Sequence, residues 1–126
     1  MQFFRPGFVA ELKKRVDVQV NELLDKMEQQ GPIVDMVETF SSELPLFTLC
    51  EILGVPAEDR PKLVHWMHFL ENSQYQAQQE GLGNVTPEQM MEFMGEIQAM
   101  FDYGRHMLAK RRENPQNDLL SAIAKV

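Results

Sequence analysis

Cys50-Glu51-Ile52-Leu53-Gly54-Val55-Pro56, followed at once by Ala57-Glu58-Asp59-Arg60, is the stretch that decides the fold of this chain. Its apolar first half continues a helical pattern. Gly54 and Pro56 end that pattern, because glycine tolerates the left-handed C-terminal position and proline cannot continue the hydrogen-bond ladder. Glu58 and Asp59 then bring negative charge to the first turn of a new helix, where it complements the helix dipole. The stretch therefore predicts a sharp turn between two helices.

Two helices are predicted before this turn. From Phe8 to Gln30, apolar residues recur at spacings of three and four, which is the pattern of an amphipathic helix, and Gly31-Pro32 ends it. A second helix from about Glu38 to Leu53 is apolar on most sides, which is typical of a helix in the interior of a bundle. The short segment 33–37 between them is the one candidate β-strand, and an extended entry to the second helix is the alternative.

Three further segments follow the turn. A third helix runs to about Gln76, and the polar, glycine-containing stretch 78–84 predicts a loop. Thr86-Pro87-Glu88-Gln89 predicts a helix start with a capping box, and this fourth helix extends to about Asn114. Asn117 or Asp118 can cap a last helix, whose pattern stops after barely three turns. The inward face of the fourth helix is predicted to carry Met90, Met94, Ile97, Met100, Phe101, Gly104, Met107 and Leu108.

These elements together predict an all-α fold in one domain, residues 1–126: a bundle of four long amphipathic helices around the apolar second one, plus a short C-terminal helix. The interrupted pattern of the last helix predicts that the chain is a piece of a longer protein.

Composition excludes several classes of partner and setting. Twelve Lys and Arg against nineteen Asp and Glu give a net charge of -7, which would repel a phosphate backbone, so no nucleic-acid partner is expected. No apolar run approaches the roughly 20 residues that span a bilayer, so no membrane partner is expected either. The single Cys50 cannot form an internal disulfide, and a cytoplasmic location is the natural expectation.

Candidate chemical groups have simpler structural explanations. His65, His68 and Glu71 recur every three residues on the third helix, but nothing elsewhere completes a metal site, so a solvated face is favoured over metal binding. Cys50 has apolar neighbours rather than a base or cations, which favours core packing over a nucleophile or a haem thiolate. We therefore assign no catalytic residue and no metal ligand. Nine methionines favour core packing or an adaptable apolar pocket, and the sequence leaves both open.

Several stretches, taken in order, resemble the middle of a bacterial cytochrome P-450, from the end of its C helix through D, E, F and G into H. The resemblance covers almost the whole chain, and its weight comes from the order of the patterns rather than from a catalytic signature. The stretches that carry it are Phe4-Arg5-Pro6-Gly7-Phe8-Val9, Val34-Asp35-Met36-Val37 with Phe40 and Leu44-Pro45, Cys50 to Arg60, Ala109-Lys110-Arg111-Arg112, and Asn117-Asp118-Leu119-Leu120-Ser121.

The resemblance implies a parent enzyme that hydroxylates an apolar small molecule with haem b, O2 and electrons from a ferredoxin-type redox partner. The parts that would hold haem are absent here, since no Glu-x-x-Arg occurs and Cys50 lacks the preceding Phe and following glycine of the family's cysteine loop. This segment alone is therefore predicted to bind no haem and to be inactive.

In such a parent the F and G helices and their loop form a lid over the substrate. Carried onto this chain, the resemblance implies that substrate contacts Met67, Leu70, Gln74, Leu82, Met90, Met91 and Met94. Surfaces that the rest of a parent would cover predict self-association of the chain. The alternative is a free-standing helical binding or interaction module with a Met-rich apolar face.

Overall fold

The computed structural model describes residues 4–126, apart from the side chains of Glu80 and Leu82. Its main elements are five α-helices, and the described residues contain no β-strand. The predicted all-α class, with long helices and a short C-terminal one, is confirmed. The helices are α1 (Pro6–Gln30), α2 (Glu43–Leu53), α3 (Arg60–Glu80), α4 (Pro87–Glu113) and α5 (Leu119–Ala124).

The helix ends follow the local sequence closely. Gly54 ends α2 with φ 85° and ψ 33°, the left-handed conformation that a side chain disfavours. The Thr86 hydroxyl accepts a hydrogen bond from the Gln89 backbone N–H at 3.2 Å, and the Gln89 side chain accepts one from the Thr86 N–H at 2.9 Å. These two bonds form the predicted capping box of α4. Asp118 caps α5 by accepting from the Ser121 N–H at 2.7 Å.

The segment between α1 and α2 differs from the expected strand. The carboxylate of Asp35 accepts hydrogen bonds from the N–H groups of Val37 and Glu38, at 2.9 and 3.0 Å. This side-chain cap starts a π-helical turn, Val37–Ser41, directly before α2. The strand prediction for residues 33–37 was wrong: residues 33–35 have no regular secondary structure, and the Asp35 cap turns the backbone helical from residue 36 onward.

The most buried side chains lie where α1, α2, α5 and the last turns of α4 meet, which we call the platform. α1 packs on α2, and α5 packs on both α4 and α2. Leu23, Cys50 and Met107 are buried there, with exposures of 2%, 0% and 1%. α3 extends from the platform and packs against α4, with which it forms a helical hairpin, the α3–α4 hairpin.

Much of the apolar surface of the chain remains open. Its accessible surface is 9226 Å², whereas a folded monomer of 14.6 kDa exposes about 6,900 Å². The predicted inward face of α4 is right for Met107 but wrong for Met90, Met94 and Phe101, which are half or more exposed. The physical reason is that α3 covers only part of α4, so its remaining apolar face has no covering element among the described residues.

Candidate functional site

The α3–α4 hairpin places chemically matched side chains opposite one another. Phe69 stacks on Phe93 with ring centroids 5.9 Å apart. One turn closer to the platform, the Trp66 indole N–H donates to the Glu96 carboxylate at 3.1 Å. The residues of each pair lie equally far along the chain from Gly81. The hairpin is therefore an antiparallel helix pair that turns about Gly81, whose φ is positive.

A groove of about 470 Å³ opens between α3 and α4 at the loop end of the hairpin. This volume lies within the range of small-molecule sites, about 300–1,000 Å³. Most of the groove surface is apolar, and amide, hydroxyl and carboxylate groups supply the polar part. Its lining consists of Phe69, Leu70, Ser73, Gln74, Gln76, Ala77, Gly81, Val85, Gln89, Met90, Glu92 and Phe93.

The sequence-predicted substrate residues divide into two sets. Leu70 and Gln74 from α3 and Met90 from α4 all line this groove. Met67, Met91 and Met94 lie on the same two helices but outside the lining, and each is more than a third exposed. The side chain of Leu82 lies outside the described residues. The groove thus brings together three of the seven predicted positions, and the substrate role of all seven stays a prediction.

The aromatic pair Phe69 and Phe93 was missed by sequence reasoning, although it forms one wall of the groove. A signal for it exists in the sequence. Counting outward from Gly81 in both directions reaches these two phenylalanines at the same step, as expected for facing positions of an antiparallel hairpin. The pairing can be found in the sequence only when the turn residue is known, and the predicted loop 78–84 did not specify that residue.

Arg111 joins the two ends of the hairpin at the platform through a buried ion pair and a hydrogen bond. The Arg111 guanidinium donates to the Asp118 carboxylate at 2.7 Å and to the Gly54 carbonyl at 2.6 Å. Arg111 is 6% and Asp118 5% exposed, so both charges are withdrawn from water. Arg111 lies in the last turn of α4, where its charge complements the helix dipole. Its larger role is to connect α2, α4 and α5.

Glu51 forms a second ionic contact beside this junction. Its carboxylate accepts hydrogen bonds from Arg15 of α1 and Arg60 of α3, each at 2.6 Å. Burial alone would raise the pKa of Glu51, but the hydrogen bonds and positive charges of Arg60 and Arg15 outweigh burial and lower it. Glu51 is therefore held ionised, and it ties the first residue of α3 to α1 and α2.

Tyr103 fixes the middle of α4 to the start of α3. Its hydroxyl donates to the Asp59 carboxylate at 3.1 Å, and its ring lies 5.5 Å from the Trp66 ring. Burial and the bond to Asp59 raise the pKa of Tyr103, while the hydrogen bond from Lys62 is the main cause that lowers the pKa of Asp59. The donor and the acceptor are thus each held in the protonation state that the bond needs.

The donor chemistry of the described residues does not fit haem or metal ligation. Within residues 4–126, no group of three His, Cys, Asp or Glu side chains could hold one metal ion. His65 contacts Glu96 at 3.2 Å, while His68 faces Glu71 at 3.8 Å, so the three candidate ligands do not converge. Haem-thiolate ligation needs an accessible thiolate, but Cys50 is fully buried and burial raises its pKa.

In the part of the chain that the structure describes, no helix is both long enough and apolar enough to cross a bilayer.

Comparison with known proteins gives consistent matches, although no protein-family model matches the chain. The chain is 32% identical over 120 residues to cytochrome P-450 CYP107DY1 of Priestia megaterium, covering 95% of this chain and 27% of that protein. It is 32% identical over 113 residues to the mycinamicin IV hydroxylase/epoxidase of Micromonospora griseorubida, covering 89% of this chain and 25% of that enzyme.

Solved structures agree with the sequence matches. A structure of unusual cytochrome P-450-like monooxygenases of microbial secondary metabolism aligns with a TM-score of 0.77 and 32% identity, covering 98% of this chain and 30% of that chain. A mutant of the mixed-function enzyme MycG in complex with mycinamicin IV aligns with a TM-score of 0.67 and 28% identity, covering 96% and 28%. The match extends over nearly all of the helical order described above, and the chain belongs to the cytochrome P-450 family, spanning 27% of the length of its Priestia relative.

Proposed function

We propose that this chain is the substrate-lid segment of a bacterial-type, cytoplasmic cytochrome P-450 monooxygenase. In this assignment α1 is helix D, α2 with its preceding turn is E, α3 is F, α4 is G and α5 is H. The observation that carries the proposal is the apolar groove between α3 and α4. The parent enzyme would hydroxylate an apolar small molecule, with haem b, O2 and electrons from a ferredoxin-type partner, and this segment would bind and orient that molecule.

The predicted substrate residues would have different tasks, depending on whether they line the groove or lie beside it. Leu70 and Met90 would pack against the apolar body of the ligand, and the Gln74 amide would hydrogen-bond to a hydroxyl or carbonyl group on it. Met67, Met91 and Met94 lie beside the groove, where flexible thioethers would adjust to the ligand as the lid closes. The segment's contribution is binding, orientation and exclusion of water.

Replacing Leu70 with Ala should weaken binding of a neutral apolar probe by about tenfold, because part of a buried aliphatic contact is lost. A dansyl amide with a pentyl chain is a suitable probe, since its fluorescence rises on transfer from water to an apolar site. Titration of the chain gives Kd directly. Leu24→Ala, which truncates an exposed leucine on α1 outside the groove lining, is the matched control. Equal Kd values for the Leu70→Ala variant and the unchanged chain would contradict the proposal.

Added haem should not produce a thiolate-ligated complex with this chain, because its one thiol is buried and protonated. The measurement is the spectrum of the reduced, carbon monoxide-bound sample, in which thiolate-ligated haem absorbs far to the red of other haems. The chain and a Cys50→Ser variant should give the same spectrum. A red-shifted band that disappears with Cys50→Ser would show that Cys50 ligates iron and that its core role is wrong.

We further propose that the chain self-associates. Its accessible surface is about a third larger than that of a typical folded monomer of this mass, and a stable dimer buries about 1,600 Å² in total. Sedimentation equilibrium should therefore give an average mass that rises with concentration. Met94→Glu places a charge on the open face of α4 and should shift the mass toward the monomer. A monomer mass at every concentration would refute self-association.

A second candidate function, a free-standing helical binding module, is favoured by one observation. Met91, Met94 and Phe101 of α4 are each more than half exposed, which gives an adaptable apolar face suited to a partner helix. The two functions differ in what the groove prefers. An amphipathic helical peptide that displaces the neutral dansyl probe at lower concentration than apolar small molecules do would support the module.

A further inference from the structure

The net charge of the chain is concentrated on the α3–α4 hairpin. Between Lys62 and Arg105 there are six of the nineteen acidic residues and none of the twelve Lys and Arg residues. The remainder of the chain is nearly neutral, so the hairpin accounts for six of the seven net negative charges. A cleft whose walls share one sign of charge raises the local concentration of ions of the opposite sign. The surroundings of the groove therefore attract cations and repel anions.

Within the groove itself, Glu92 is the charged side chain that lines the wall. Its carboxylate forms no hydrogen bond or ion pair with the described side chains, so its charge is available to a ligand. The two histidines of α3 contact other acids: His65 lies next to Glu96, and His68 lies next to Glu71. The rest of the lining is apolar or neutral, and it includes the stacked rings of Phe69 and Phe93.

We infer that the groove binds an apolar small molecule that carries a positive charge, such as a protonated amine. The apolar body would pack on the phenylalanine wall, and the ammonium group would approach Glu92. The groove volume of about 470 Å³ suits a small molecule. A partner helix, which is about 10–12 Å wide along its whole length, would not fit inside it. The inference rests on the proposed function of the groove as a ligand site, and it specifies the class of ligand.

The test uses three dansyl amides with the same five-carbon chain, which ends in a methyl group, a primary amine or a carboxylate. Fluorescence titration of the full chain should give an amine Kd about tenfold lower than the carboxylate Kd at low ionic strength, and a smaller ratio in 0.5 M salt. Glu92→Gln should reduce this ratio by about threefold, as expected for one partly exposed charge. Leu70→Ala should weaken all three probes alike, because the shared fluorophore and chain lose the same contact.

Glu113→Gln is the matched control. It changes the net charge equally, at the far end of α4 and about 30 Å from the groove along a helix with a 1.5 Å rise per residue. The two variants are compared at 0.1 M ionic strength, where about 30 Å is well beyond the screening length of about 10 Å, so Glu113→Gln should leave the ratio unchanged. If no probe binds, the proposed function of the groove fails. If all three bind equally, the groove remains a ligand site and the charge inference is overturned. An equal response to Glu92→Gln and Glu113→Gln would overturn the role of Glu92.

Discussion

Replacing Arg111 with Met should lower the free energy of unfolding by about 3–5 kcal/mol, the cost of leaving one member of a buried ion pair without its partner. Asp118 would lose its ion-pair partner at 5% exposure, and the Gly54 carbonyl would lose its donor. For a chain of this length, the melting temperature should fall by about 10 °C or more. Urea unfolding followed by circular dichroism measures the change.

Arg105→Met is the control, because it makes the same substitution on the same helix at an exposed site. The Arg105 side chain is 73% exposed, and it contacts Asp102 at 3.3 Å. Its loss should cost less than about 1 kcal/mol. Asp118→Asn combined with Arg111→Met should be less destabilising than the sum of the two single changes, since the double variant leaves no unpaired charge. Similar losses for Arg111→Met and Arg105→Met would mean that the ion pair contributes little.

Gly54→Ala should destabilise the chain by about 4 kcal/mol or more, for two separate reasons. Its φ of 85° is a left-handed conformation that an alanine side chain disfavours by about 1–2 kcal/mol. The added Cβ would also overlap the Asp118 carboxylate, which would have to leave Arg111. Thermal and urea unfolding should both report the loss.

Two other glycines separate these causes. Gly81 also has a positive φ, and beyond its chain neighbours no described atom lies within 4 Å of an added Cβ, so Gly81→Ala measures the strain of a positive φ without a clash. Its ψ of 149° lies in a region that is nearly restricted to glycine, so this strain should exceed the strain at Gly54. Gly104 lies within α4 with open space around it, and Gly104→Ala should stabilise the chain by about 0.5–1 kcal/mol. A loss of no more than about 2 kcal/mol for Gly54→Ala, the cost of its left-handed conformation alone, would mean that the close approach of Asp118 is unimportant.

Features encoded within a few residues were predicted from the sequence. The capping box at Thr86 and Gln89 involves neighbours one turn apart, so no tertiary information was needed. The left-handed end of α2 at Gly54 follows from glycine and the proline after it. The same local reasoning failed between α1 and α2, because the cap formed by Asp35 competed with the apolar pattern and determined the outcome.

Features that depend on distant contacts were not predictable in this way. The burial of Arg111 requires α2 and α5 to meet the end of α4, and nothing near Arg111 in the sequence indicates such a contact. The exposure of Met94 depends on which elements cover α4 rather than on the periodicity of α4 itself. For the groove, the family resemblance implied Leu70, Gln74 and Met90, which do line it, but the facing of Phe69 and Phe93 required the position of the turn.

The hydrogen bond from Arg111 to the Gly54 carbonyl joins the end of α4 to the end of α2, just before α3 begins. The two ends of the hairpin are therefore adjacent at the platform. The α3–α4 hairpin is therefore a side branch, and residues beyond its base do not take part in the contacts among α1, α2 and α5. Selection for a new ligand can act on the branch while selection for folding acts on the platform. Recombination between relatives at the two ends of the branch would then exchange binding properties as one unit, while the contacts among α1, α2 and α5 stay in place.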